Sequence, residues 1–175
     1  MVISLDVLSK TAQRIHDHST LRRKWVVIND TGCALQLGNV GILPYHQPAY
    51  AYSPEQWEFL SSGDAHLKQA VTAVDVGFVM FDAWGAPVSI PLEVSHLEDL
   101  PSDYKFNLRS QWNASEADAI SLFTSIAYVR HVRLTDGSIW TADFDLVKSK
   151  VGQLNLDGVD LTREKNINTK VEKKG

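Results

Sequence analysis

Apolar and polar residues alternate with a period of two over most of residues 71–144, the mark of half-buried β-strands. Val74, Val76, Phe78 and Met80 share one face of the first run. Val79 and Phe81 occupy the other, so its second half is expected to be buried on both sides. Val88, Ile90, Leu92 and Val94 alternate with Ser89, Pro91, Glu93 and Ser95, and Pro91, which has no N–H to donate, assigns this run to a sheet edge. Tyr104, Phe106, Leu108 and Trp112 alternate with polar residues in a third run. Phe123–Leu134 is a long strand. Asp136-Gly137 then predicts a tight hairpin with both residues at positive φ, returning through Ser138–Phe144 with Trp140.

Upstream, the β-branched run Trp25–Ile28 and the short run Ala34–Leu37 flank the turn cluster Asn29-Asp30-Thr31-Gly32 and read as a hairpin. Residues 2–8 fit a strand and a helix about equally. Residues 41–57 break the pattern with three prolines, three tyrosines and a tryptophan, and the prolines argue against a central strand. Ser53-Pro54-Glu55-Gln56 has an N-cap, a proline at the first helical position and a glutamine at the third, which predicts a short helix or an irregular insertion over 53–60. From residue 146 apolar density falls, so 146–175 is expected to be a polar, loosely ordered C-terminal tail on a single domain spanning 1–145. The strands expected are 25–28, 34–37, 72–81, 88–95, 104–112, 123–134 and 138–144, predominantly antiparallel. The fold class they imply is all-β, a two-layer β-sandwich of immunoglobulin-like type.

Composition changes this picture little. The chain has 175 residues, 44% hydrophobic and 22% charged, enough apolar material for one unstapled core. A net charge of −4 gives no pull toward nucleic acid. One cysteine, Cys33, excludes an intrachain disulfide and leaves both cytoplasm and periplasm open. No run is long and apolar enough for a membrane helix, so no membrane insertion is expected. Residues 1–6 carry an acid and no charged segment ahead of an apolar one, so no leader is expected in this chain.

The segment Val74-Asp-Val76-Gly-Phe78-Val-Met-Phe81-Asp82-Ala-Trp-Gly85, followed by Leu100-Pro101 and an alternating Phe-Leu strand, resembles the FxLYD-type immunoglobulin-like domains of bacterial lipoproteins and envelope proteins. The resemblance covers residues 71–112. It implies a small β-sandwich in which Phe-Asp-x-x-Gly closes a hairpin, and it brings no catalytic residues. The chain departs from that pattern in carrying Leu-Pro-Ser-Asp after the edge strand and Met80-Phe81-Asp82 in place of Leu-Tyr-Asp.

Candidate chemistry is sparse. His16 and His18 flank Asp17 and could share an ion from one strand face, but a third ligand, Cys33 or His46, is not brought near by any pattern. A polar connector accounts for them. Gln153-x-Asn155-x-Asp157-Gly158 with Glu164 follows a calcium loop at several positions. However, Gln153 stands where an Asp is needed and Asp160 where the loop is apolar, so a turn is the better account. No cofactor or metal is expected. No Gly-x-Ser-x-Gly elbow or Gly-rich phosphate loop is present. Cys33 reads as a buried thiol. Arg130-His131-Val132-Arg133 could be an anion or carboxylate patch, with a solvated strand face as the default.

The aromatic loop is the most suggestive feature. Tyr45, Tyr50, Tyr52 and Trp57 lie within thirteen residues stiffened by prolines. Rigid amphipathic rings on a constrained loop suit a partner surface, and equally would cover the open end of a sandwich. The leading expectation is therefore a non-enzymatic binding or assembly module whose partner is a protein. One rival is an enzyme with a site built from His16, His18, Cys33 and His46. Another is a purely structural subunit that docks through its tail or an edge strand.

Overall fold

In the computed structural model, residues 23–30, 32–89 and 91–156 are described. The described chain is mostly β-strand, arranged as a sandwich-like all-β fold with two short helices. The elements are β1 (Lys24–Ile28), β2 (Leu35–Leu37), β3 (Gly41–Gln47), β4 (Gln56–Ser62), β5 (Asp64–Leu67), β6 (Val71–Phe81), β7 (Leu92–Leu100), β8 (Lys105–Asn107), β9 (Gln111–Ala114), α1 (Glu116–Ser121), β10 (Thr124–Leu134), β11 (Ile139–Thr141) and α2 (Phe144–Gly152).

One layer is a sheet ordered β1-β10-β6-β7, with β11 also paired to β10. Its strands are antiparallel except β1 and β10, which run parallel from Lys24↔Thr124 to Ile28↔Tyr128. The facing layer is built from two short ladders, β2-β5-β8 and β3-β4-β9. Chain order shows them to be one antiparallel set folded over a corner, because β2 continues into β3, β4 into β5 and β8 into β9. Gly63 makes the middle corner at φ 142, and a Cβ there would collide with the backbone of Asn39 and Val40. The bond from Leu108 N to Gly63 O (2.9 Å) and that from Ser61 N to Ser110 O (2.9 Å) carry pairing across the bend.

The main core lies between the layers. Val74, Val76, Phe78 and Met80 of β6 and Ala127, Val129 and Val132 of β10 meet Leu35, Ile42, Phe59, Leu67 and Leu108 from the folded layer. The opposite face of the central sheet is also covered. Val79, Phe81, Ile126 and Tyr128 pack beneath Val147 and Val151 of α2 and Leu156. The second half of β6 is thus buried on both faces, as its continuous apolar run predicts.

Several local expectations are corrected. No helix forms over 53–60: strand β4 begins at Gln56, because residues 56–62 pair with β3 on one side and Trp57–Leu60 with β9 on the other, and this pairing overrides the cap signature. Pro44 sits in β3, an edge strand, which agrees with the expectation that the prolines exclude a central one. The expected hairpin of 25–28 with 34–37 does not form. β1 joins β10 and β2 joins β5, while the Asn29 side chain exchanges two 2.9 Å bonds with the Leu37 backbone in place of a ladder.

The strand expected at 88–95 starts only after Pro91 and runs on to Leu100 at the sheet edge. The run 104–112 divides between β8 and β9 at the corner. Asp136-Gly137 closes a three-residue hairpin, with Gly137 N donating to Leu134 O at 3.0 Å and Leu134 N to Ser138 O at 2.9 Å. Only Gly137 of the two residues takes a positive φ (86), the pattern of a turn with a glycine bulge. Finally, the tail expected from 146 opens with α2, capped by Asp143, whose Oδ1 accepts from Asp145 N and Leu146 N.

Candidate functional site

β3 and β4 form a long antiparallel hairpin from Gly41↔Ser62 to Gln47↔Gln56. Its tip, residues 48–55, folds back on itself. Tyr50 and Ser53 exchange two backbone bonds of 3.0 Å around Ala51-Tyr52. Pro48 and Pro54 bracket this miniature turn and limit the backbone freedom of its stems. The result projects tyrosines into water: Tyr45 is 47% exposed, Tyr50 61% and Tyr52 fully.

Beneath the tip the hairpin is held from inside. Trp57 and His46 are directly paired across the strands and stack with ring centroids 4.2 Å apart. His46 Nε2 donates to Glu55 Oε1 at 2.7 Å, which ties the tip to the strand below it. Trp57 also packs against the main core. Of the four aromatics singled out, then, three form the surface and Trp57 supports it. On the face that carries Tyr45, the buried Glu58 accepts from Gln111 Nε2 at 2.6 Å, and Leu43 pairs with Leu60 beyond it. Residues 41–62 contain Glu55 and Glu58 and neither lysine nor arginine.

The other sequence-derived candidates do not converge. His16 and His18 lie outside the described residues, as does most of the 153–164 loop. Cys33 is buried, and its sulfur accepts from Leu35 N at 3.4 Å. Burial pushes the thiol up to about 11, a poor nucleophile near neutral pH. His46 is engaged with Glu55 and Trp57. Among the described residues no group of three His, Cys, Asp or Glu side chains could hold a metal ion. No helix among them is long and apolar enough to cross a membrane.

Sequence reasoning missed most of a half-buried polar cluster around the buried Arg130 on the α2 side of the central sheet. A bulge at Arg130 in β10 turns this side chain into the sheet face, where its Nη1 pairs with Glu93 Oε1 and lies 3.9 Å from Asp75 Oδ2. His131 Nδ1 lies 3.2 Å from the same Asp75 oxygen, and Ser95 Oγ donates to Asp75 Oδ1 at 3.2 Å. Tyr128 crosses over Gly77, where any Cβ would strike its ring. Burial first, and the Asp75 charge second, push its hydroxyl up to about 12. The Arg130-His131 dipeptide was visible in the sequence. Its carboxylate partners come from β6 and β7, and only the register brings them together.

No family model matches the chain, and no curated protein matches it. Among solved structures it is similar to an X-ray structure of a hypothetical protein from Peptoclostridium difficile 630, at 9% identity and a TM-score of 0.46, covering 71% of this chain and 92% of that one.

Proposed function

We propose that this chain is a non-enzymatic binding module that captures a protein partner through the tyrosine-bearing tip of the β3–β4 hairpin. The observation that carries this reading is the exposure of Tyr50 and Tyr52 on a self-bonded, proline-bracketed turn, with Tyr45 exposed on the strand beside it. Exposed rings contribute little to folding. Hiding roughly 100 Å² of one in an interface is worth about 2.5 kcal/mol at ~25 cal/mol/Å². The stiff turn reduces the entropy lost on docking, and tyrosine gives large area at the cost of two torsions. The module is related in kind to the immunoglobulin-like FxLYD domains. Supporting that kinship, Phe81-Asp82-x-x-Gly85 makes a tight turn, with Asp82 N bonded to Ala86 O at 2.9 Å and Val88 N to Met80 O at 2.9 Å.

The test is a comparison of capture by the unaltered chain and by a Tyr45→Ser, Tyr50→Ser, Tyr52→Ser triple variant. The proposal expects the triple variant to keep its fold and lose the partner, and a folded triple variant that retains the partner would refute it. Assembly through an edge strand is the second reading. Its support is β7, which among the described residues pairs only with β6, with Leu97 81% exposed. Replacing Leu97 with Lys would abolish capture under that reading and leave it intact under the first.

A further inference from the structure

Three strand ends meet at one end of the central sheet: β1 begins at Lys24, β10 begins at Thr124, and β6 ends at Phe81. A cavity of about 260 Å³ opens there. Lys24 and Phe123 form one wall, the Asp82–Gly85 turn a second, and Leu154–Leu156, just beyond α2, a third. Trp84 stands on the turn with 93% of its surface in water.

The turn that carries Trp84 is rigid. Asp82 Oδ1 accepts from Trp84 N at 2.8 Å and from Ala86 N at 2.9 Å, and Gly85 takes the positive φ (86) that the turn needs. A large apolar ring held out in solvent adds nothing to the core and leaves its face open to a ligand. The cavity wall carries one cation, Lys24, and one acid, Asp82. The Lys24 ammonium lies 5.9 Å from the centroid of the Phe123 ring, and it makes no ion pair with a carboxylate among the described residues. Asp82, the acid on the wall, accepts from the Trp84 and Ala86 amides.

We propose that this pocket is a binding site for a small planar organic anion, an aromatic carboxylate of one or two rings. The carboxylate would meet Lys24, and the ring would lie between Trp84 and the Phe123 and Leu156 side of the cavity. An ammonium with no carboxylate partner among the described residues selects an anion, and the indole and phenyl rings select a flat apolar body. The volume falls just below the ~300 Å³ at which pockets for drug-sized ligands begin, which limits the ligand to a small ring system. This site is separate from the hairpin tip and does not depend on the function proposed for it.

The test uses the full chain and two probes that differ in charge and hardly in shape, 2-naphthoate and 2-naphthamide, titrated by calorimetry. The proposal expects one saturable site for naphthoate and at least tenfold weaker binding of the amide. Lys24→Gln should erase the difference between the probes, whereas Lys24→Arg should keep it. Trp84→Ala should weaken both probes about tenfold, and Tyr52→Ser should change neither. Equal binding of the two probes, or a naphthoate preference that survives Lys24→Gln, would overturn the anion site. No saturable binding of either probe, or binding indifferent to Trp84→Ala, would overturn the pocket itself. Circular dichroism of each variant shows that the fold is retained, and both substituted side chains are exposed, so neither change opens the core.

Discussion

The β6–β10 pair and the β3–β4 hairpin are both long antiparallel ladders, yet they spend their aromatic residues in opposite ways. Phe78, Phe81 and Tyr128 are sealed inside, between the folded layer on one face and α2 on the other. Tyr45, Tyr50 and Tyr52 are held out in water beyond the last ladder pair or on the outward face. The first ladder uses its rings to hold the molecule together. The second takes its stability from Trp57, Phe59 and Ile42 on its inner face, which leaves its tyrosines free for other work. Ring count alone does not separate core from surface. The distinction lies in which rings fall on the period-two inner face and which fall on the turn.

That contrast can be broken most directly in the core. Phe78→Ala should cost about 3–5 kcal/mol in denaturant unfolding, the usual penalty for a phenyl-sized cavity in a closed site. A loss under 1 kcal/mol would mean the sandwich is not packed as described. At the corner of the folded layer, Gly63→Ala should cost about 1–3 kcal/mol, since an L-residue at φ 142 is strained and its Cβ meets backbone. An unchanged midpoint would contradict the corner.

A graded effect should appear with pH. Burial raises Cys33 from its ordinary 9.0 to about 11 and Tyr128 from 10.0 to about 12. Each group is neutral when folded and ionises more readily when unfolded. Their contribution is therefore complete below pH 9.0 and is lost as pH climbs through about 11 to about 12. The melting temperature should fall across that window, and Tyr128→Phe should flatten the upper part of the fall.

Gly137→Val should destabilise by about 1 kcal/mol, because the bulge position holds a positive φ although nothing crowds it. Tyr52→Ser should stay within about 0.5 kcal/mol, and a larger loss would place this ring in the fold's own packing.

The fold was legible where burial imposes a period. Val74–Phe81 and Thr124–Leu134 could be read almost to the residue, because a strand buried on both faces has no polar alternation to confuse it. Legibility failed where one run serves two ladders. Leu108 is buried at the corner between β8 and β9, so the alternation continues through a break that only a three-dimensional bend creates. The Ser53-Pro54-Glu55-Gln56 signature failed because cap residues are also turn residues, and the cross-strand partners of Trp57 and Phe59 decided between the two. The tyrosines of the tip could be named from sequence, but not that Trp57 faces inward. The Asp75–Glu93–Arg130 cluster and the Lys24–Trp84 cavity depend on strand register and strand ends, which no local pattern encodes.

The central claim is that the hairpin tip is where a partner docks. The most direct measurement places a photo-crosslinking residue at position 52 of the full chain, and in a second sample at position 148 on the exposed face of α2, with irradiation in the native host. The account predicts one discrete protein adduct from position 52, absent from position 148, and lost when Tyr45 and Tyr50 are both changed to Ser. The same adducts from both positions, or an adduct at position 52 that survives the double change, would contradict it.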